Sequence, residues 1–465
     1  MKDILKNISY SFGVNVFSLC ISAFMVIIVP KFLTVDEYGM WQLFLFYSSY
    51  LGFLHFGWED GIYLRYAGEK FEELDAKLFS GQFYGIIILQ FITMIIVIVF
   101  AMIFVDDFIK RNVLLCAISL TVFVNFNNCC NFIMQITNRI KDYAKLIFTE
   151  RAIFSGLVVL FICLGFNHFY NLYMAQLFSS FCLFIVSFYT CRRLLHFNFY
   201  PIRVIIDEAI SNIEVGIKLM IANIAGMLII GIIRYGISMG WDISTFGKVS
   251  LTLNISNFFM VFITSVSIVI FPMLKHIEDN RLPLIYMKIR NILTIVLFLL
   301  LIAYYPLKEL LTWWLPQYAD SLVYMSILFP VCLFQSKVNL LINTYLKSLR
   351  KENLMLKINL ISVMLAVIVT FITVGLFHNL QATVFSIIFL YAFQCELAEY
   401  YMEKLLHIKL RREIIEELFV VGIFIITGVL LDSWWCMVTY GMTYIGYLIL
   451  HRDKIRELRM QMRRL

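Results

Sequence analysis

The chain has 465 residues, of which 61% are hydrophobic and 15% charged, with a net charge of +7 and a mean hydropathy of +0.85. Soluble domains carry about 25% charged residues. That composition excludes a soluble enzyme and a nucleic-acid-binding domain, and it leaves an all-α polytopic membrane protein.

Apolar runs long enough to cross a bilayer predict about fourteen transmembrane helices. Their limits are 8–30, 38–64, 79–104, 112–136, 146–165, 169–190, 214–238, 246–272, 290–311, 321–346, 354–377, 381–403, 413–431 and 434–450. Strand-period alternation is absent, which excludes a barrel. The opening run, behind Lys2 and Lys6, continues to Pro30 with no small-residue cleavage site, so it reads as a first span rather than a signal peptide. The ten cysteines lie almost entirely within apolar runs and form no CxxC or Cys/His cluster, and the seven histidines are scattered. No metal or cofactor is expected.

With the N-terminus in the cytoplasm, 28 of the 38 Lys and Arg residues fall on cytoplasmic segments and 5 on outer loops. The other five, Arg151, Lys218, Arg234, Lys337 and Lys357, fall inside spans. A missed helix would invert every later loop, so the bias supports both the count and two cytoplasmic termini. The loops are short, which leaves no room for a soluble domain. The tail 451–465 places Ile455, Leu458, Met462 and Leu465 among arginines, as in an amphipathic helix on the inner leaflet.

Two pairs of segments point to an internal repeat. "VDEYGMWQL" (35–43) and "ISTFGKVSL" (243–251) follow the first helix of each half. "IKDYAKLIF" (140–148) and "RKENLMLKI" (350–358) follow the fourth, and Asn15 and Asn223 share the offset of the first pair. The expected organisation is a six-helix half over 1–190, a cytoplasmic linker over 191–213 and a second half over 214–403. Two further helices (404–450) and the tail (451–465) follow. Six is even, so the halves form a parallel repeat around a central cavity, which suits alternating access. Gly226, Gly231, Gly236 and Gly240 in span 7 fit either bending or close packing.

These residues resemble a family. "YGMWQL" opening span 2, "FGWEDGIYLRY" (56–66) ending it, "VSIVIFPML" (266–274) and "NTYLKSLRKENLMLKIN" (343–359) are similar to the O-antigen and capsule flippases of the multidrug/oligosaccharidyl-lipid/polysaccharide exporter superfamily. The resemblance covers nearly the whole chain and is diffuse. It implies a multi-pass protein of the bacterial inner membrane that turns a lipid-linked oligosaccharide, carried on undecaprenyl diphosphate, from the inner to the outer leaflet for surface polysaccharide. Membrane lipids and polysaccharide polymerase machinery are the partners implied, with no cofactor.

Charge within the spans fits that job. Intramembrane cations normally face protein or water. Arg151, Lys218 and Lys357 lie about a turn inside the cytoplasmic ends of their spans, and Arg65 ends span 2, so each could snorkel to headgroups. Lys337 is mid-span and Arg234 is in the outer half of span 7. Together the six would make a graded cationic path for a diphosphate, deepest at Lys337. Glu59 and Asp60 pair with Arg65 on the plainer reading and couple transport to an ion on the functional one. Glu396 and Glu399 are a weaker version of the same choice.

The amides form stripes. "NFNNCCNFIMQITN" (125–138) places Asn128, Asn131, Gln135 and Asn138 on one face of span 4, with Asn125 above them. Gln335, Asn339, Asn343 and Lys347 recur every four residues in span 10. Either the rows hydrogen-bond between helices, or they form a wet wall suited to sugar hydroxyls. A drug or small-molecule antiporter of the same superfamily is the alternative function. A membrane enzyme is disfavoured, because the outer loops are short and carry no His/Asp/Arg cluster.

Overall fold

A computed structural model describes residues 17–18, 20–195, 199–257, 281–431 and 434–452. The start of span 1 with Asn15, the second half of span 8 with "VSIVIFPML", and the basic tail from 453 lie outside the described residues. The chain divides into two compact units, Met1–Met227 and Leu228–Leu465.

The first unit contains α1 (Cys20–Phe32), α2 (Val35–Leu51), α3 (Trp58–Arg65), α4 (Ala76–Phe104), α5 (Phe108–Ile136), α6 (Ile140–Cys163) and α7 (Phe169–Thr190). It also holds the first part of α8 (Ile202–Gly240). Side-chain caps set the starts. Thr34 accepts from the Glu37 amide, Asp75 from those of Lys77 and Leu78, and Asp107 from those of Ile109 and Lys110. The central helix is α5, packed on α2, α4, α6 and α7. Phe126, Cys129, Cys130, Ile133 and Met134 fill the core with Phe83, Ile86 and Leu183. All ten cysteines are free.

Span 2 is broken. Helix α2 stops before Gly52, and α3 restarts after Phe56 and Gly57, both at positive φ (52° and 84°). The break is tolerable in a membrane only where its backbone finds partners. Gln90 Nε2 donates to the Leu54 carbonyl (3.2 Å), and the Gly57 amide donates to His55 Nδ1 (3.0 Å). Gly57, Gly61 and Gly216 bring α3 and α8 into backbone contact, and a Cβ on Gly61 would overlap the carbonyl of Asn212.

The second unit contains the rest of α8, a helix over 243–257 (α9), α10 (Leu282–Ile302) and α11 (Tyr304–Trp314). After these come α12 (Met325–Ser348), α13 (Glu352–Thr370), α14 (Leu380–Leu406), α15 (Arg411–Leu430) and α16 (Trp435–Leu450). Asp242 caps α9 by accepting from the Thr245 amide (2.9 Å), and its bonds to Thr245 hold its carboxyl below the usual carboxylate range. Two π-turns interrupt the helices, Lys337–Ile342 within α12 and Phe371–Leu376 after α13. In α8, Gly236 and Gly240 sit against Thr370, Val374 and His378, so these two serve close packing.

Among the described residues, nine helices are long and apolar enough to cross a membrane. They coincide with predicted spans 3–7 and 9–12. Each other predicted span falls short for its own reason. Spans 1 and 8 run out of the described residues, and span 2 is broken. Span 13 carries Glu413, Glu416 and Glu417 in its first turns, and span 14 has 16 residues. The predicted linker 191–213 is helical from Ile202 onward.

Candidate functional site

The two most deeply packed membrane-length helices are α5 in the first unit and the α12 segment in the second. Each leaves a narrow face open. Between Leu328 and Lys347 the only residues that are not buried are Gln335, Asn339, Asn343 and Lys347. Asn343 Nδ2 donates to Asn339 Oδ1 (3.2 Å), along the row rather than to another helix. A four-residue step drifts around a regular α-helix. The π-turn Lys337–Ile342 interrupts that regularity between Gln335 and Asn343.

From Asn125 to Asn138 the open positions are Asn128, Asn131, Phe132 and Gln135 on α5, and Asn138, which lies past the end of the helix at positive φ (57°) and so off its face. Four of these five belong to the predicted stripe. Asn131 is half-buried, with Oδ1 unpartnered. Asn125 is fully buried, and neither amide atom has a partner. Asn127, off the stripe, donates to the Ser180 carbonyl (3.1 Å) and is the interhelical contact of the group.

The six predicted cations have different surroundings. Arg65 donates to Glu208 and to Asn212 Oδ1, at 2.6 Å each. That leaves Glu59 and Asp60 without it, contrary to the expected pairing. Arg151 is exposed and lies eleven residues into α6, because the helix begins at Ile140 rather than 146. At 1.5 Å per residue that is about 16 Å, well beyond one turn from the end. Lys218 is exposed on α8, sixteen residues from a start that lies at Ile202 rather than 214. Lys357 is exposed early in α13, with its ammonium 5.4 Å from the Tyr401 ring centre. Arg234 Nη2 donates to Ser250 Oγ (3.1 Å), and its guanidinium stands over Phe246.

Lys337 is not on an open path. It is completely buried, with Nζ 2.7 Å from Glu399 and 2.5 Å from Glu417. Arg290, also buried, lies 2.8 Å from Glu399 and 2.9 Å from Glu417, and Thr294 adds a bond to Glu417 (3.1 Å). Two cations and two carboxylates from α10, α12, α14 and α15 thus close a neutral ring. Lys337 has both carboxylates beside it and no exposed surface for a diphosphate. Arg290, a cytoplasmic loop charge on the predicted topology, and Glu417 belong to this ring and not to the predicted cationic path. The available signal was charge balance, since a mid-span lysine needs acids on other spans.

Glu59 and Asp60 open α3 just after the break in span 2. Glu59 is 1% exposed, and its Oε1 has no partner. Asp60 Oδ2 is 3.9 Å from His55 Nε2. A polar chain surrounds this half-helix. Trp58 Nε1 donates to Gln82 Oε1 (2.6 Å), Asn212 Nδ2 donates to the same oxygen (3.3 Å), and Gln82 Nε2 donates to the Ile205 carbonyl (3.0 Å). Glu396, half-buried, has neither oxygen bonded.

A cleft of about 220 Å³ lies among α2, α5, α6 and α7. Glu150, Arg151, Gln176, Ser48 and Thr121 line it, along with Phe44 and Phe154. Glu150 accepts from Gln176 (3.5 Å) and Ser180 (3.4 Å). The volume lies below the range usual for drug-sized ligands. No group of three or more His, Cys, Asp or Glu among the described residues could hold a metal ion.

No family model and no curated protein matches this chain in sequence. Solved structures match its fold. One is the lipid II flippase MurJ in an inward closed conformation, with 12% identity and a TM-score of 0.65, over 96% of this chain and 100% of that one. Another is an inward-facing multidrug resistance MATE family transporter of the MOP superfamily, with 11% identity and a TM-score of 0.60, over 83% and 96% of the two chains. The chain is therefore a multi-pass, all-helical membrane protein with a fold seen in transporters of that superfamily.

Proposed function

We propose that this protein is a flippase for undecaprenyl-diphosphate-linked oligosaccharide repeat units. In this reading it works in the bacterial inner membrane, supplies surface polysaccharide by alternating access, has both termini in the cytoplasm and catalyses no covalent step. One observation carries the reading. Over 125–135 in one unit and 328–346 in the other, the most packed helix opens a face made mostly of amides, Asn128, Asn131 and Gln135 beside Phe132 in one and Gln335, Asn339 and Asn343 in the other. Amide rows exposed to lipid would be costly, whereas amides facing water and sugar hydroxyls have partners. Arg151, Lys218 and Lys357 are exposed cations that suit a diphosphate, with Arg65 and Arg234 partly engaged. Lys337 serves instead inside the neutral ring. Polysaccharide polymerase remains a partner the resemblance implies.

A strain lacking the protein should accumulate undecaprenyl-linked oligosaccharide on the cytoplasmic side. Asn339→Leu with Asn343→Leu should reproduce that defect at normal protein level. Normal polysaccharide in both strains would reject the flippase reading. A specific observation supports the alternative, a cation-coupled drug or small-molecule antiporter. Glu59 and Asp60 are deep acids with no Lys or Arg beside them, the kind of group that could couple an antiporter to a cation. A deletion that changed only drug sensitivity would select it.

A further inference from the structure

We infer that Glu59 is a proton-binding site built into the break of span 2. Glu59 forms no hydrogen bond or ion pair among the described residues, its Oε1 is sealed from solvent, and the residue is 1% exposed. The other two acids at 1% exposure or less in the described spans have cations beside them, and Glu396, whose oxygens are also unbonded, is only half-buried. Glu399 and Glu417 each touch both Lys337 and Arg290.

The neighbours of Glu59 offer no countercharge. On its own half-helix they are Asp60 and, at the far end, Arg65, which Glu208 and Asn212 occupy. His55 lies in the break. Its Nδ1 accepts from the Gly57 amide, so Nε2 carries the ring proton, the ring is neutral, and it faces Asp60. From α4 come the neutral Gln82 and Gly85, both at Trp58. From α5 come the thiols of Cys129 and Cys130, buried in one core cluster with Trp58 and Ile62 of this half-helix. From α8 come Asn212 and Gly216, with Glu208 held by Arg65 and by Tyr66. A carboxylate sealed in this setting is costly, and a carboxylic acid is far less so.

The ligand class follows from the number of oxygens. A bound metal cation needs several converging ligands, and no group of three or more His, Cys, Asp or Glu side chains that could hold one forms among the described residues. A proton needs one carboxyl. The break supplies the route for exchange, because Phe56 and Gly57 already hold a non-helical backbone beside the acid. In the closed arrangement Glu59 keeps its proton, and when the break opens to water the proton leaves. As a coupling device this deepens the flippase reading and rests on it, while the proton site itself stands on the geometry of span 2.

The test uses the full-length protein in liposomes. Difference infrared spectroscopy across a pH titration compares wild type with Glu59→Gln and Asp60→Asn. The expected result is a carbonyl stretch from a protonated, non-hydrogen-bonded carboxyl in wild type and in Asp60→Asn, and its loss in Glu59→Gln. A band that survives Glu59→Gln overturns the assignment, as does a band lost only in Asp60→Asn. In a second arm, a pH gradient should accelerate movement of undecaprenyl-diphosphate-linked oligosaccharide by wild type and have no effect on Glu59→Gln. A gradient response kept by Glu59→Gln, or a response to sodium in place of protons, overturns the coupling role. If wild type moves no such lipid, the flippase reading fails, and the infrared arm still decides the proton site.

Discussion

The two units handle their most deeply buried charges in opposite ways. In the second, Arg290, Lys337, Glu399 and Glu417 are sealed from solvent and balance one another across four helices. In the first, Glu59 is sealed to the same degree with no cation beside it, while Arg65, at the far end of the same half-helix, is engaged by Glu208 and the buried Asn212. A balanced ring can hold helices together but has no valence left for a ligand. An unbalanced acid contributes little to holding helices and keeps its valence. Burial alone therefore does not separate architecture from function, whereas the count of partners does.

Mutations can break this contrast. The largest effect is expected for Lys337→Ala, which leaves Arg290 as one cation for two buried carboxylates and should destabilise the fold by about 3–5 kcal/mol. Thermal unfolding in detergent measures it. Lys337→Met combined with Glu417→Gln keeps the ring neutral and should recover most of that loss. A double variant no more stable than Lys337→Ala would show that shape, not charge balance, matters there. Arg65→Gln should cost about 1 kcal/mol, since its ion pair is partly solvated. Glu59→Gln removes an acid with no partner and should change stability by less than about 0.5 kcal/mol or raise it. A loss comparable to that of Lys337→Ala would reveal a hidden partner and erase the contrast.

The smallest stability effect is expected from the amide rows. Asn128→Leu with Asn131→Leu, and Asn339→Leu with Asn343→Leu, should leave the unfolding temperature unchanged while transport falls. A loss of about 0.6–2 kcal/mol per residue would mark the amides as bonds between helices.

The rows were legible in the sequence because they obey a local rule. Residues three, four or seven apart share a helix face, and the wheel that groups Asn128, Asn131 and Gln135 needs no knowledge of neighbours. Apolar run length likewise located the nine membrane-length helices. Lys337 was legible as unusual and was assigned the wrong surroundings, because its partner Glu417 is 80 residues away and reaches it only once four helices have packed. Arg290 looked like a loop charge because the basic residues before it sit where an inner loop would end. The depth of Arg151 was misjudged for the opposite reason. Polar residues 140–145 looked like loop and form the first turns of α6. The break at Gly57 carries a glycine but no proline, and neither π-turn has a sequence mark that the periodicity would register.

The ring in the second unit also sets a schedule for synthesis. Glu417 follows Lys337 by 80 residues and Glu399 follows Arg290 by 109. At about 5–20 residues per second, Lys337 emerges roughly 4–16 s before Glu417 exists. The lysine and the arginine thus await helices that have not yet been made, and the ring cannot close until α15 arrives. A chain truncated after α14 would leave the ring with one carboxylate for two cations.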